Sequence, residues 1–363
     1  DKKLLQDCYR IGDPDFQAYH HDLYRGMGRL WVMEQQPGTV NWAKYNPIPL
    51  KGAVRLWSWE AFAHDAEVVS YFRWRQAPYA QEQMHAGLMY RDNTPAPGQE
   101  EAQQVSEEIE KIEMPATEQS PIALVHDYEA CWMTELDGQT HDFHYTRLLL
   151  DFYKAVRMNG GSLDIVGKNA DFTGYKLVII PSLVHFQGED LQRVIKSGAQ
   201  ILAGPRTGVK TPDFQLPPEL SLEGLGFQVR SVDALPRDLP VPVEWNGIKG
   251  NFSVWREHGL TSGVSEGKSS DGMAVLTSGN QGSYLCGWPD QKLLNAIMKN
   301  QMQLAGLDVV ELPEYLRVRR RGNLLFFTNY GTQEISIPEV YQGELLLGKR
   351  TLSQADISIL KIN

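Results

Sequence analysis

Short, wholly apolar segments alternate with helix-like segments along most of this chain. Residues 30–33 read Leu-Trp-Val-Met and residues 122–125 read Ile-Ala-Leu-Val. Such runs are typical of strands that are buried on both faces, as in parallel sheets. Between them, apolar side chains recur at helical spacing. This alternation predicts an α/β fold, because all-α and all-β chains lack it.

Residues 1–113 are predicted to form one domain with strands and helices in alternation. A first helix begins beside Asp15 and ends at Gly26, as the flanking carboxylate and glycine indicate. The segments that follow are strand 30–33, helix 53–64, strand 68–74 and helix 100–112. The glutamates crowding the last helix are Glu100, Glu101, Glu107, Glu108, Glu110 and Glu113. Since few basic residues lie beside them, we predict a solvated helix face.

Residues 120–310 repeat the alternation and are predicted to form a doubly wound α/β domain. Its strands are 122–125, 163–166, 177–180 and 200–203, and its helices are 141–158, 189–196 and 291–304. From residue 314 to 363, apolar and polar residues alternate instead, with turns at Gly322-Asn323 and Gly348-Lys349. We therefore predict a small antiparallel β domain there. Its basic run, residues 319–321, is expected to be an exposed strand edge.

The charge balance and the cysteines limit the classes of binding partner and the cellular compartment that we expect for this protein. The 363 residues carry 35 Lys and Arg against 45 Asp and Glu, a net charge of -10, which excludes an ordinary nucleic-acid partner. No apolar stretch reaches the roughly 18 to 20 residues that a membrane span needs. Cys8, Cys131 and Cys286 lie apart, without the spacing of a zinc site or of paired disulfides. We expect a cytoplasmic protein that binds no membrane.

Glu34 follows the first apolar strand directly and is the first candidate for chemistry. In a β/α barrel, the carboxyl ends of the strands form the face where reactive groups lie. An ordinary loop glutamate remains the alternative. Aromatic side chains that could line a sugar-binding rim are Trp42, Tyr45, Trp57, Trp59, Phe72 and Trp74.

Three polar pairs are further candidates for sites. Glu82 and His85 follow the second strand, and a plain surface loop is equally compatible with them. His20 and His21 point in different directions on a helix and are not expected to bind one metal. Ser182 and His185 lack the Gly-x-Ser-x-Gly setting of a hydrolase nucleophile, so no catalysis is expected of them.

Three long segments resemble glycoside hydrolase family 42, the microbial β-galactosidases. They are residues 31–42 (WVMEQQPGTVNW), 54–64 (VRLWSWEAFAH) and 70–85 (SYFRWRQAPYAQEQMH). The resemblance implies that residues 1–113 are the last βα units of a TIM barrel. It further implies a trimerisation domain similar to class I glutamine amidotransferases over 120–310, and a small β domain over 314–363.

The resemblance also assigns roles to five residues. Glu34 matches the catalytic nucleophile of a retaining hydrolase, which forms a covalent galactosyl intermediate. Trp42 and Phe72 match aromatics of the galactose site, and Glu82 and His85 match groups that hold galactose hydroxyls. The implied substrate is a terminal β-galactoside such as lactose, and the implied assembly is a homotrimer.

This chain departs from the family pattern at its start. The family's acid/base glutamate lies in an Asn-Glu pair on an earlier barrel strand, which is expected outside these residues. A structural zinc of the family belongs to that same earlier part, so no cofactor or metal is expected here. We predict that the segment alone is inactive. The alternative is a non-catalytic oligomerisation or binding fragment.

Overall fold

The computed structural model of the protein describes residues 8–136 and 138–362. The chain divides into two compact units. The first unit runs up to Glu118 and resumes from Glu311, and the second unit is Gln119–Val310. Within the described ranges, none of the helices combines the length and the apolar character needed to cross a bilayer.

The first unit opens with alternating helices and strands, as predicted. Its elements are α1 (Phe16–Arg25), β1 (Leu30–Gln35), α2 (Ala53–Ala63), β2 (Ala66–Tyr71) and α3 (Pro97–Ile109). The strands β1 and β2 pair in parallel. Their order and type match the predicted elements, with shifts of a few residues at the ends.

The expected burial of β1 on both faces is wrong. Leu30 is buried, but Trp31 and Met33 are half or more exposed. The reason is that β1 pairs with β2 alone among the described residues, in a two-stranded sheet. A strand needs layers packed on both faces before both sets of its side chains are removed from water.

The second unit is built on a mixed sheet, eleven-stranded over its described residues. The strands are β3 (Ile122–Val125), β4 (Leu163–Val166), β5 (Leu177–Ile180), β6 (Gln200–Ala203), β7 (Phe227–Ala234), β8 (Val241–Trp245), β9 (Ile248–Thr261), β10 (Val264–Ser269), β11 (Ala274–Ser278), β12 (Ser283–Leu285) and β13 (Gly287–Pro289). The helices are α4 (Tyr128–Leu136), α5 (Tyr145–Met158), α6 (Gly188–Ser197) and α7 (Gln291–Leu304). Strands β4, β3, β5, β6 and β12 run parallel in that spatial order.

The antiparallel half of this sheet was not anticipated, because no strand was predicted between residues 204 and 290. A buried carboxyl joins it to the parallel half. Glu257 of β9 accepts hydrogen bonds from the Arg206 backbone N–H at 2.9 Å and from the Tyr284 hydroxyl of β12 at 2.8 Å. Burial outweighs these bonds and raises the pKa of Glu257 to about 7.

The chain then returns to the first unit. Its last part forms antiparallel strands, as predicted. They are β14 (Leu316–Arg321), β15 (Leu324–Asn329), β16 (Ile335–Ser336), β17 (Glu344–Leu347), β18 (Thr351–Leu352) and β19 (Asp356–Lys361). A two-residue turn at Gly322-Asn323 joins β14 to β15, and β19 lies between β15 and β17. These strands share a core with α2, in which Trp59 and Ala63 pack with Phe326 and Ile359.

Three arginines on one face of β14 form ion pairs with aspartates of the N-terminal segments. Arg317 binds both oxygens of Asp15 at 2.8 and 2.7 Å, and both side chains are fully buried. The two pairs that follow along the strand are Arg319–Asp22 at 3.5 Å and Arg321–Asp65 at 2.9 Å. We call this set the arginine ladder. The predicted exposed edge at 319–321 is therefore only partly right. β14 is an edge strand and Arg320 is exposed, but alternation along the strand turns Arg319 and Arg321 inward with Arg317.

The prediction of a solvated face on α3 is also wrong for two of its glutamates. Glu101 accepts hydrogen bonds from the backbone N–H groups of Gly52 and Arg55, at the N-terminus of α2. Glu108 binds the guanidinium of Arg55 at 2.9 Å and accepts a hydrogen bond from the Trp59 indole at 2.8 Å. A carboxylate at a helix N-terminus satisfies donors that have no partner within the helix. These two glutamates thus hold α3 against α2.

We expect Arg317→Met to destabilise the first unit by about 3 to 5 kcal/mol, because it leaves the Asp15 carboxylate buried without its partner. Arg320→Met is the matched control, since Arg320 is exposed on the other face of β14, and it should change stability by less than about 0.5 kcal/mol. Urea unfolding followed by tryptophan fluorescence measures both. Adding Asp15→Asn to Arg317→Met should restore part of the loss. Equal effects of the two single substitutions would contradict the role of the ladder.

Candidate active site

A cleft of about 530 Å³ lies in the first unit, at the carboxyl ends of β1 and β2. Its walls come from the segment leading into α1, from α1, from β1 and its following loop, and from single residues further along the chain. The lining residues are Ile11, Gly12, Asp13, Phe16, Gln17, His20, Val32, Glu34, Gln35, Gln36, Val40, Trp42, Trp57, Phe72, His85 and Tyr330. This volume is in the range of small-molecule sites.

Glu34 is exposed in the cleft, one residue before the end of β1. The pairing of β1 with β2 shifts register between Val32 and Gln35, so Glu34 lies in an irregular part of the ladder. Pairing resumes at Gln35, whose carbonyl accepts a hydrogen bond from the Phe72 backbone N–H at 3.1 Å. The same bond that ends the sheet therefore places Phe72 beside Glu34 in the cleft.

Two glycines let the loop after β1 pack tightly against its neighbours. A Cβ on Gly38 would lie 2.8 Å from the Cβ of Ala86, and one on Gly98 would lie 1.9 Å from the Pro37 carbonyl oxygen. The Ala86 backbone N–H donates to the Thr39 carbonyl at 2.8 Å. The approach at Gly38 and the bond from Ala86 hold the segment around residue 85 at the cleft, and the approach at Gly98 holds the start of α3 against the same loop.

Phe72 and His85 form one wall of the cleft. Their rings meet edge to face, with centroids 5.2 Å apart. The Nδ1 atom of His85 lies 3.0 Å from the carbonyl of Ala86, which makes Nδ1 the protonated nitrogen. His85 is buried, and its Nε2 is left as the nitrogen that can accept a hydrogen bond.

Glu82 does not line the cleft. Its carboxylate pairs with the Arg73 guanidinium at 2.5 Å, and the Arg73 guanidinium lies over the Phe72 ring, 4.4 Å from its centroid. The Glu82 carbonyl accepts a hydrogen bond from the His85 backbone N–H at 3.0 Å. The structure thus brings four of the five predicted site residues into one cleft and places the fifth behind Phe72.

The predicted aromatic rim is only partly formed. Trp42, Trp57 and Phe72 line the cleft, and the Trp42 ring is 73% exposed. Trp59 is instead fully buried in the core, because the opposite side of α2 packs on the C-terminal strands. Tyr45 and Trp74 are exposed and do not line the cleft.

Several lining residues were missed by sequence reasoning. Gln17 and His20 lie one turn apart on α1, and the Gln17 amide donates to the Gln35 side chain at 3.3 Å. Their helical spacing was a usable signal. Tyr330 reaches the cleft from nearly 300 residues away, and nothing local in the sequence points to it. His21, one residue after His20, is buried, and burial lowers its pKa to about 4.

The thiols do not form a metal centre among the described residues. Within the described residues, none of Cys8, Cys131 and Cys286 forms a disulfide. Burial raises the pKa of Cys286 well above its usual value and that of Cys131 to about 11, so neither is a ready thiolate.

Known proteins resemble this chain over most of its length. The sequence profile described as β-galactosidase matches residues 4–112, and the profile described as β-galactosidase trimerisation domain matches residues 120–307. A β-galactosidase from Thermus sp. is 45% identical over 96% of this chain, which spans 55% of that relative's length.

Solved structures agree with the sequence comparison. The β-galactosidase of the psychrophilic Marinomonas ef1 is 39% identical, with a TM-score of 0.94 over 100% of this chain and 58% of that one. The β-galactosidase of the Antarctic haloarchaeon Halorubrum lacusprofundi is 31% identical, with a TM-score of 0.90 over 97% of this chain and 56% of that one. This chain thus spans little more than half of each of these relatives. It belongs to glycoside hydrolase family 42, the β-galactosidase family, and includes that family's trimerisation domain.

Proposed function

We propose that this chain carries the nucleophile half of the active site of a retaining β-galactosidase. The observation that carries the proposal is the cleft that joins Glu34, Trp42, Phe72 and His85. A carboxylate beside aromatic rings and an imidazole suits a sugar, whose C–H faces stack on rings and whose hydroxyls bind polar groups. The substrate class is a terminal β-galactoside such as lactose.

In this proposal Glu34 attacks the anomeric carbon. A carboxylate oxygen of Glu34 forms the bond to C1 while the bond from C1 to the leaving oxygen breaks, and that oxygen takes a proton from a second carboxyl group. The same group then removes a proton from water, which displaces Glu34 from C1. Two inversions give net retention. In retaining enzymes the two carboxyl groups lie about 5 to 5.5 Å apart.

We propose that the second carboxyl group, a glutamate, comes from outside these 363 residues. In this view β1 and β2, with the helices beside them, are the last βα units of a TIM barrel. The exposure of Trp31 and Met33 supports this, because barrel strands have neighbours on both sides and helices packed outside. The length of the relatives supports it as well.

The remaining site residues are proposed to hold galactose. Trp42 offers an exposed ring face for stacking, and Phe72 closes the opposite wall. His85 accepts a hydrogen bond from a sugar hydroxyl through Nε2, since Nδ1 faces the Ala86 carbonyl. Glu82 binds a further hydroxyl, which requires its carboxylate to turn from Arg73 toward the cleft.

In the protein extended to include the proposed acid/base glutamate, Glu34→Gln is expected to lower kcat by more than ~10³-fold. This corresponds to a rise of about 4 kcal/mol in the activation free energy. An amide keeps the size of the side chain but is a poor nucleophile toward C1. Turnover of nitrophenyl galactoside measures the loss. With Glu34→Ala, added azide should restore activity and give the α-galactosyl azide, since azide then attacks from the vacated face.

Glu67→Gln is the matched control, because Glu67 lies on the neighbouring strand β2, outside the cleft, and pairs with Arg29 at 2.5 Å. It should keep wild-type turnover. If the Glu34→Gln variant keeps more than about a tenth of wild-type kcat, Glu34 is not the nucleophile. A β-galactosyl azide from Glu34→Ala would instead make Glu34 the acid/base.

We also propose that the second unit, a relative of the amidotransferase fold, builds a homotrimer. Helix α4 presents Tyr128, Trp132 and Leu136 at successive turns, exposed by 46%, 58% and 82%. A monomer gains little from leaving such an apolar stripe in water, whereas a second copy of the chain would bury it. In a cyclic trimer each contact is heterologous and closes after three copies.

Trp132→Asp is expected to shift this chain from trimer to monomer at micromolar concentration, because a carboxylate in a buried apolar contact costs several kcal/mol. Light scattering on the purified protein measures the mass. Leu216→Asp, at an equally exposed leucine of the second unit, should leave the trimer intact. If the wild-type protein is a monomer, the proposed homotrimer is wrong. If the Trp132→Asp variant is still a trimer, the apolar stripe on α4 is not the contact between subunits.

The isolated 363-residue chain is expected not to hydrolyse nitrophenyl galactoside, whereas a version extended by the proposed upstream glutamate segment should. Without the acid, a poor leaving group stays unprotonated. Without neighbouring strands, β1 is free to misplace Glu34, and an ångström of error costs ~10²-fold. Equal rates from both proteins would show that the second carboxylate lies within these residues. Inactivity of both, with trimers formed, would favour the oligomerisation alternative.

A further inference from the structure

Four polar side chains meet in the second unit, at the carboxyl ends of three neighbouring parallel strands. Asp127 and Glu129 follow β3, Lys168 follows β4 and His185 follows β5. Because β4 and β5 flank β3 on opposite sides, the chain changes direction in the sheet at this point. In open α/β sheets the crevice at such a point is where ligands bind.

The donor atoms of this group lie within reach of one small ion. The Nε2 atom of His185 is 3.5 Å from a Glu129 carboxylate oxygen and 3.7 Å from one of Asp127. One ligand atom from each of the three residues lies within 4.8 Å of the others. Zinc bonds of about 2.0 to 2.2 Å at tetrahedral angles place ligand atoms about 3.4 Å apart, so the two measured separations already fit.

The side-chain cation of Lys168 already contacts two members of the group. The Lys168 ammonium lies 2.5 Å from His185 Nε2 and 3.6 Å from the Glu129 carboxylate. An ammonium group only donates hydrogen bonds, so the Nε2 lone pair of His185 must point at it. His185 is 1% exposed, which fixes that direction. The imidazole therefore presents the Nε2 lone pair toward the carboxylates, as a metal ligand would, and the lysine ammonium lies on that side of the ring.

Two buried polar atoms on the turn after β5 support an additional ligand or water here. Neither the Nδ1 of His185 nor the Oγ of Ser182 has a hydrogen-bond partner within the described residues. Buried groups left in this way call for a bound water nearby. The Nδ1–H of a ring whose Nε2 lone pair is engaged needs such an acceptor, as the second nitrogen of a metal-binding imidazole does. The Asp127 carboxylate is also held in position without a metal, because it accepts a hydrogen bond from the Ala130 backbone N–H at 3.0 Å.

We propose that Asp127, Glu129 and His185 form a zinc-class divalent cation site, which the Lys168 ammonium fills when no metal is bound. One imidazole and two carboxylates are ligands that suit zinc among the divalent ions. Lys168 is partly exposed and carries a flexible stem, so it can leave the centre. The site departs from the sequence-based expectation of no metal in this segment. It does not depend on the proposed galactosidase activity.

Calorimetric titration of the purified 363-residue chain with zinc chloride tests the proposal, with no activity needed as a readout. Lys168→Met removes the internal competitor and should tighten zinc binding at least ~10-fold. Glu129→Gln removes an exposed ligand and should weaken it at least ~10-fold. These opposite signs distinguish this site from nonspecific binding.

Two control variants test whether another exposed glutamate or a thiol binds the zinc. Glu189→Gln changes an exposed glutamate in the first turn of α6, as Glu129 is in the first turn of α4, and should leave affinity unchanged. Cys131→Ser should also leave it unchanged, which excludes the thiol. The proposal is overturned if neither the wild type nor Lys168→Met binds zinc at micromolar concentration. It is equally overturned if Lys168→Met does not tighten binding, or if Glu129→Gln binds as the wild type does.

Discussion

The arginine ladder on β14 is the interaction on which the first unit depends. Each of its arginines reaches an aspartate about 250 or more residues earlier in the chain: Asp15 at the start of α1, Asp22 within it, and Asp65 just after α2. Burial alone would raise the pKa of Asp22, but Arg319, His64 and Arg25 outweigh it and hold that pKa well below its usual range. Buried charges of this kind persist only as pairs. The ladder thereby fixes α1, and α1 is a wall of the cleft.

Helix α2 is the second element that positions the site. It is buried on nearly all sides, and its opposite faces pack on β1 through Ala61 and on the C-terminal strands through Trp59. A helix surrounded in this way cannot move without disturbing both sheets. Glu101 and Glu108 of α3 anchor it at its first turn and along its side. The position of Glu34 therefore depends on residues that never touch the cleft.

Local patterns were sufficient for the helices and strands of residues 16–109 and for the parallel strands β3 to β6, but not for α4 or for β7 to β13. Five residues of the cleft were also found from the sequence, namely Glu34, Trp42, Trp57, Phe72 and His85. Apolar runs and helical spacing depend on nearby residues, so β1, β3 and β5 were found from the sequence. Burial was harder to predict, because it depends on partners far along the chain. The sequence indicates solvated charges at Arg319 and Glu108, because their partners Asp22 and Arg55 are remote in sequence. Tyr330 in the cleft was missed for the same reason.

The central claim is that Glu34 becomes covalently attached to the sugar. A dinitrophenyl 2-deoxy-2-fluoro-β-galactoside tests it directly in a version of the protein extended by the proposed acid/base segment. The fluorine slows both steps by destabilising the oxocarbenium-like transition state, while the activated leaving group departs with little protonation. Peptide mass spectrometry is expected to find the fluorogalactosyl group as an ester on Glu34. Attachment to Glu82 or to any other carboxylate, or inactivation without a covalent sugar, would contradict it.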